Sequence, residues 1–189
     1  QYFESLEKAQ NPKTLVVACC DSRVDPAILL HCKPGDLFVI RNVAALVPAV
    51  TQASNPCSVM SAIEYGVKHL NVEHIVVMGH SHCGGIHGLM TPESIAGETY
   101  IQDWVSIASP ALERLQAMTG DEDEKTRSRR CEEGAVLISL DNLLSYPWIA
   151  ERVKNGQLKL HALYYDLSEG NLYRFSPDSE DFELLFHTI

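Results

Sequence analysis

Three stretches of the chain are almost wholly apolar, and each runs straight into polar side chains at its C-terminal end. Thr14-Leu15-Val16-Val17-Ala18-Cys19 leads into Asp21-Ser22-Arg23, Leu37-Phe38-Val39-Ile40 into Arg41-Asn42, and His74-Ile75-Val76-Val77-Met78-Gly79 into His80-Ser81-His82-Cys83. Runs rich in β-branched residues with no period-two alternation are the pattern of strands covered on both faces of a parallel sheet. Leu158 to Asp166 forms a fourth strand, and Glu169-Gly170-Asn171 turns the chain back into Leu172-Tyr173-Arg174-Phe175.

Between these runs the apolar positions change to helical spacing. Val59, Ile63, Val67 and Leu70 recur on one face, and Asn55 followed by Pro56 supplies the cap and first position of that helix. Tyr100 to Met118 and Lys125 to Leu144 are predicted helices, the second opening on the acidic cluster Asp121 to Glu124, where the helix dipole favours negative charge. The charge run through Glu133 reads as a solvated face, with Asp123/Arg127 and Arg129/Glu133 at i,i+4 spacing. Residues Tyr2 to Gln10 read as the end of a helix stopped at Asn11-Pro12.

Strands alternating with helices predict an α/β fold: a single domain over residues 1–189 with a central, mainly parallel sheet of about four strands flanked by helices, and a C-terminal edge hairpin. Residues 1–12 are expected to be the remainder of an N-terminal helical arm. In such folds ligands bind beyond the carboxyl ends of the strands. That rule selects the segments after Ala18 and after Gly79.

Composition narrows the function classes. Fifteen Lys+Arg against 25 Asp+Glu give a net charge of -10, the wrong sign for holding phosphate backbones, so no nucleic acid partner is expected. No run approaches the ~20 consecutive apolar residues of a membrane span, so no membrane partner is expected either, and a cytoplasmic location is the expectation. The sequence does not begin with Met, which leaves room for a targeting segment ahead of Gln1. Six cysteines in a chain of ordinary core composition point to metal or catalytic thiols rather than to a disulfide framework.

Cys19, Asp21, Arg23, His80, His82 and Cys83 gather at the two selected strand ends. Zinc accepts thiolate and imidazole ligands, and a catalytic zinc keeps three protein ligands and one open position. Cys19 from one strand with His80 and Cys83 from another supplies such a set. A lone His-x-x-Cys is weak evidence, and the competing reading makes Cys19 and Cys83 core thiols and His80 a turn histidine. Of two other thiol mechanisms, the first fails on spacing and the second, a redox role, is disfavoured but stays open. No Arg stands six positions after Cys19 or Cys20, as a phosphate-wrapping Cys loop needs. No Cys-x-x-Cys redox pair is present, and the vicinal Cys19-Cys20 could close only a strained ring.

Three blocks, Ala18-Cys19-Cys20-Asp21-Ser22-Arg23-Val24-Asp25-Pro26, Arg41-Asn42-Val43-Ala44 and Gly79-His80-Ser81-His82-Cys83-Gly84-Gly85-Ile86, together resemble the β-class carbonic anhydrases in order and separation. The likeness extends over nearly the whole chain, with Cys20 standing where many members carry Ser. It implies one Zn2+ per chain on Cys19, His80 and Cys83, a catalytic dyad of Asp21 and Arg23, and reversible hydration of CO2 to bicarbonate and a proton by zinc-bound hydroxide. It also implies substrate-pocket roles for Gln10, Phe38, Val43, Tyr65 and Gly84, as in the plant-like subtype, some of them supplied by a partner subunit of a homodimer or higher homo-oligomer. Val16, where the bicarbonate-regulated subtype carries Trp, implies a site open to water rather than closed by Asp21. Carbonyl sulfide or carbon disulfide would suit the same small apolar pocket. A zinc ion that only holds the fold is the alternative from another class, and it would call for a fourth protein ligand from among Asp21, Cys20 and His82. His82 and His87 lie near the motif and His69 on the preceding helix, and none of the three is assigned as a proton shuttle.

Overall fold

A computed structural model of the chain describes residues 2–53, 56–118 and 120–187. Its centre is one six-stranded sheet in the order β2-β1-β3-β4-β5-β6, built from β1 (Thr14–Cys19), β2 (Leu37–Asn42), β3 (His74–His80), β4 (Lys159–Asp166), β5 (Asn171–Ser176) and β6 (Asp181–His187). The first four strands are parallel; β5 and β6 return antiparallel as a hairpin edge. The α/β class and mainly parallel core match the sequence expectation. The sheet is longer by β6, whose largely exposed residues carry no buried-strand signal.

Helices cover the sheet: α1 (Tyr2–Leu6), α2 (Pro26–Leu29), α3 (Ser58–Lys68), α4 (Gly84–Met90), α5 (Thr99–Val105), α6 (Ser109–Ala117), α7 (Glu124–Leu144) and α8 (Pro147–Lys154). The alternation of side chains along β1 separates two apolar clusters: Val16 and Ala18 pack in one, Leu15 and Val17 in the other. Val59, Ile63 and Val67 of α3 are buried, as their spacing requires.

Several predicted boundaries shift for physical reasons. The expected cap Asn55 lies outside the described residues; α3 begins at Ser58, past Pro56, after a Cys57 that makes no side-chain cap. The single helix expected over Tyr100 to Met118 is broken by a 3-10 turn at Ser106–Ala108, just ahead of Pro110, which cannot continue an upstream helix because it lacks an N–H. Asp123 does not pair along the helix with Arg127. It caps α7 instead, accepting the Thr126 N–H at 2.7 Å.

One correction bears on the site. The charge run on α7 is not wholly a solvated face, because Glu132 is only 5% exposed. Helix α7 presses against β3 where Gly79 has no side chain: a Cβ there would lie 2.4 Å from Cγ2 of Val136.

Candidate metal centre

The carboxyl ends of β1 and β3, adjacent parallel strands, bring Cys19 and His80 side by side. The chain then turns through His82, held at a left-handed φ of 56°, so that Cys83 faces back toward the same point. The three ligand atoms lie within 4.8 Å of one another, and all three residues are buried. Hydrogen bonding fixes the imidazole. His80 Nδ1 lies 2.8 Å from the Ser81 carbonyl, so Nδ1–H donates there and Nε2 is left as the acceptor. That Nε2 is buried and has no hydrogen-bond partner. A buried polar atom without a partner costs about 1–3 kcal/mol, and a cation between it and two sulfurs removes that cost. The donor set fits zinc.

Backbone amides prepare both sulfurs for negative charge. Cys19 Sγ accepts the N–H of Asp21 and of Ala44, each at 3.4 Å. Ala44 reaches it from a 3-10 turn (Val43–Ala45) in which Ala44 and Ala45 adopt φ of 63° and 55°, an uncommon conformation for residues with a Cβ. The Asn42 side chain closes that turn, accepting the Leu46 N–H at 2.8 Å and donating to the Leu46 carbonyl at 2.9 Å. The backbone amides of Ile86 and Gly85 favour the charged form of Cys83. A hydrogen bond from the Cys83 thiol holds Cys19 well below the ordinary thiol range against the opposing effect of burial, while that bond and burial push Cys83 up.

Asp21 and Arg23 form a two-pronged pair beside this cluster. Arg23 Nε donates to Asp21 Oδ1 at 2.9 Å and Nη2 to Oδ2 at 2.7 Å, while the Arg23 amide also donates to Oδ1 at 2.9 Å. These bonds hold the Asp21 carboxyl well below the usual carboxylate range. Oδ2 lies 3.9 Å from His80 Nε2, close to the cluster, and accepts one bond from the guanidinium. Arg23 also donates to the His82 carbonyl at 3.2 Å, tying the loop after β1 to the turn after β3.

The other predicted site residues divide. Gly84 follows Cys83 and lines a cavity of about 380 Å³ with His82, Cys83 and His87. Val43 packs in the same apolar cluster as Cys19 and Cys83, and its carbonyl accepts the Trp104 indole N–H at 2.8 Å. Phe38 packs in the other cluster, and Tyr65 stacks on it with ring centroids 6.1 Å apart. Within one chain these two rings stand across the sheet from the ligands, and Tyr65 is 45% exposed. Gln10 is exposed ahead of β1.

Two further residues hold the site: Arg41, which opens the second motif block, and Glu132, which lies outside all three. Arg41 donates to the carbonyls of Cys19 (2.9 Å), Asp21 (2.7 Å) and Val24 (2.7 Å), gathering the loop that carries the dyad. Glu132 accepts the Cys83 amide at 3.0 Å and the Tyr164 hydroxyl at 2.6 Å. Burial pushes its carboxyl up, and these two donors offset part of that rise. A sequence signal for Glu132 exists: it stands at 4, 3, 4 spacing with Val136, Ser139 and Leu143, all buried on α7.

Comparison with known proteins agrees with this geometry. A family model described as carbonic anhydrase matches residues 14–172. The chain is 40% identical over 179 residues to beta carbonic anhydrase 5, chloroplastic, of Arabidopsis thaliana, an overlap of 94% of this chain and 59% of that protein. The chain thus spans about three fifths of that relative's length. The solved β-carbonic anhydrase CcaA superposes with a TM-score of 0.92 at 31% identity, over 97% of this chain and 88% of that one. A tetrameric β-carbonic anhydrase of the ascomycete Sordaria macrospora follows with a TM-score of 0.77 at 32% identity, over 93% and 86%.

Proposed function

Because this chain belongs to the β-class carbonic anhydrase family, we propose that it catalyses the reversible hydration of CO2 to bicarbonate and a proton. The observation that carries the reading is the buried Cys19, His80, Cys83 cluster, with its unpartnered imidazole nitrogen set 3.9 Å from a carboxylate that Arg23 holds ionised. β-class carbonic anhydrases are zinc enzymes, and zinc on two thiolates and one neutral imidazole supplies a Lewis acid that generates a water-derived nucleophile near neutral pH.

The chain's own residues do the rest. Asp21, fixed as a hydrogen-bond acceptor, takes the proton of the attacking oxygen into a hydrogen bond and so turns a lone pair toward the carbon of CO2. Arg23 keeps both carboxylate oxygens oriented and restrains Asp21 from entering the ligand set, which leaves the site open. Burial of Cys19, His80 and Cys83 excludes bulk water from the ligands.

Val43 and Gly84 form the wall supplied by the same chain. Gln10, Phe38 and Tyr65 are assigned to the pocket of a neighbouring copy in a homodimer or higher homo-oligomer. The place of Phe38 and Tyr65 across the sheet from the ligands in one chain, and the exposed side of their stack, support that assignment for the two rings. The tetrameric Sordaria relative supports an oligomer. A cytoplasmic location belongs to the same reading and is in keeping with six free thiols.

Stopped-flow CO2 hydration with a pH indicator, run on zinc-loaded protein beside a sulfide-release assay on carbonyl sulfide, tests the proposal. Turnover of CO2 well above the buffer rate is expected. Sulfide release without CO2 hydration would transfer the site to the other substrate, and inactivity in both assays with zinc bound would leave the ion a structural role.

A further inference from the structure

A buried carboxylate from a distant helix grips the backbone of one of the three candidate ligands, and nothing in the chemistry of CO2 hydration requires it. Glu132 belongs to α7, 49 residues beyond Cys83 in sequence, and is 5% exposed. One carboxylate oxygen accepts the Cys83 N–H at 3.0 Å and the other the hydroxyl of Tyr164 at 2.6 Å. Tyr164 is itself immobilised. It is fully buried on β4, and Arg129 lies over its ring at 5.2 Å. The Tyr164–Glu132–Cys83 chain therefore links a rigid central strand to the one ligand that sits outside any strand.

The other two ligands need no such brace. Cys19 ends β1, and His80 ends β3 with its backbone inside the sheet ladder and its ring tied to Ser81. Cys83 follows the left-handed His82 and precedes α4, so its position depends on the turn.

We propose that Glu132 is a positioning residue for the metal centre, acting through the Cys83 amide to set the turn so that Sγ meets the ion at bonding distance. The inference rests on the reading of Cys83 as a metal ligand. Residues that orient metal ligands from outside the coordination sphere typically contribute 10–100-fold to metal affinity. A carboxylate suits the task because its two oxygens accept two donors at once. Glutamine preserves the reach and the hydrogen bonds, since the Tyr164 hydroxyl can turn to accept from the amide. Aspartate keeps the charge but is one methylene too short to hold both donors.

The test compares the full-length zinc protein with its Glu132→Gln, Glu132→Asp and Glu132→Ala variants, and with Cys83→Ser. Zinc release to a chromogenic chelator, the thiolate-to-metal absorption of the cobalt-substituted protein, and the unfolding midpoints with and without metal are measured. Glu132→Gln is expected to stay within about threefold of wild type and keep its spectrum. Glu132→Asp and Glu132→Ala should release zinc about 10–100-fold faster with a shifted thiolate band. A merely structural role would lower the metal-free and metal-bound midpoints alike and leave release and spectrum unchanged. Glu132→Asp with wild-type release and spectrum overturns the proposal, and so does Glu132→Gln losing zinc as fast as Glu132→Ala. If Glu132→Ala does not fold, Glu132→Asp decides. Cys83→Ser separates the two levels. Zinc retained there means that the ligand assignment has failed, whereas zinc lost there but held by Glu132→Asp means that only the role of Glu132 has failed.

Discussion

The loop after β1 and the turn after β3 deliver side chains to one point, but they are held by different forces. The first is gathered from the solvent side: Arg41 collects three of its carbonyls, and Arg23 clamps Asp21 while remaining half exposed. The second is held from the core, by the Ser81–Tyr165 backbone bond, the Ser81 hydroxyl accepting the Leu167 amide, and Glu132 beneath Cys83. On the proposed reading, the dyad is held from the exposed side of the site and the Cys83 ligand from a buried carboxylate on α7. The difference predicts that chemistry and metal retention can be separated by mutation, because they hang on different scaffolds.

Mutation should expose that division. The largest effects come from breaking what both halves share: Cys19→Ser and His80→Ala should each leave less than about a tenth of an equivalent of zinc by atomic absorption and abolish CO2 hydration, since three protein ligands are the minimum for such a site. Next, Asp21→Ala on the solvent-side half should keep full zinc while kcat/KM falls about 10²-fold or more. Zinc lost along with activity would erase the distinction between the halves. Arg41→Ala should cost about 1 kcal/mol in urea unfolding, because three carbonyls, two of them partly buried, lose a charged donor, with zinc content unchanged.

The smallest effect concerns acid. Arg23 holds the Asp21 carboxyl below its usual range, so the unfolded chain takes up that proton more readily than the folded one. The stability from this pair is complete above about pH 4 and is lost as pH falls below it. Arg23→Gln should therefore flatten the acid limb of the unfolding midpoint, and only slightly, because solvent screens so exposed a pair. A change confined to the neutral range would assign that limb to another group.

Much of this was readable in the chain, and the remainder was hidden for identifiable reasons. Strands β1 and β3 announce themselves because both faces are covered, so their residues are apolar throughout. Cys19, Asp21, Arg23, His80 and Cys83 follow because polar residues at such strand ends have little structural reason to be there. Glu132 was lost in a run of mixed charges, where i,i+4 pairing describes the helix surface and says nothing of which face turns inward. Extending the Val136, Ser139, Leu143 spacing back by one turn places it on the buried face. Strand β6 escaped because an exposed edge needs no apolar run. Phe38 and Tyr65 were legible as aromatic residues, but their stacking across the sheet from Cys19 needed the fold.

Gly79 carries a lesson for sequence drift in this fold. Its lack of a side chain leaves it nothing with which to bind metal or substrate, and its backbone is ordinary strand, yet a methyl group there would meet Val136 at 2.4 Å and lever α7 outward, carrying Glu132 with it. The spacing between helix and sheet thus works as a calibrated shim. Gly79→Ala is tolerable only where position 136 shrinks in concert, so the two sites are expected to change together or not at all.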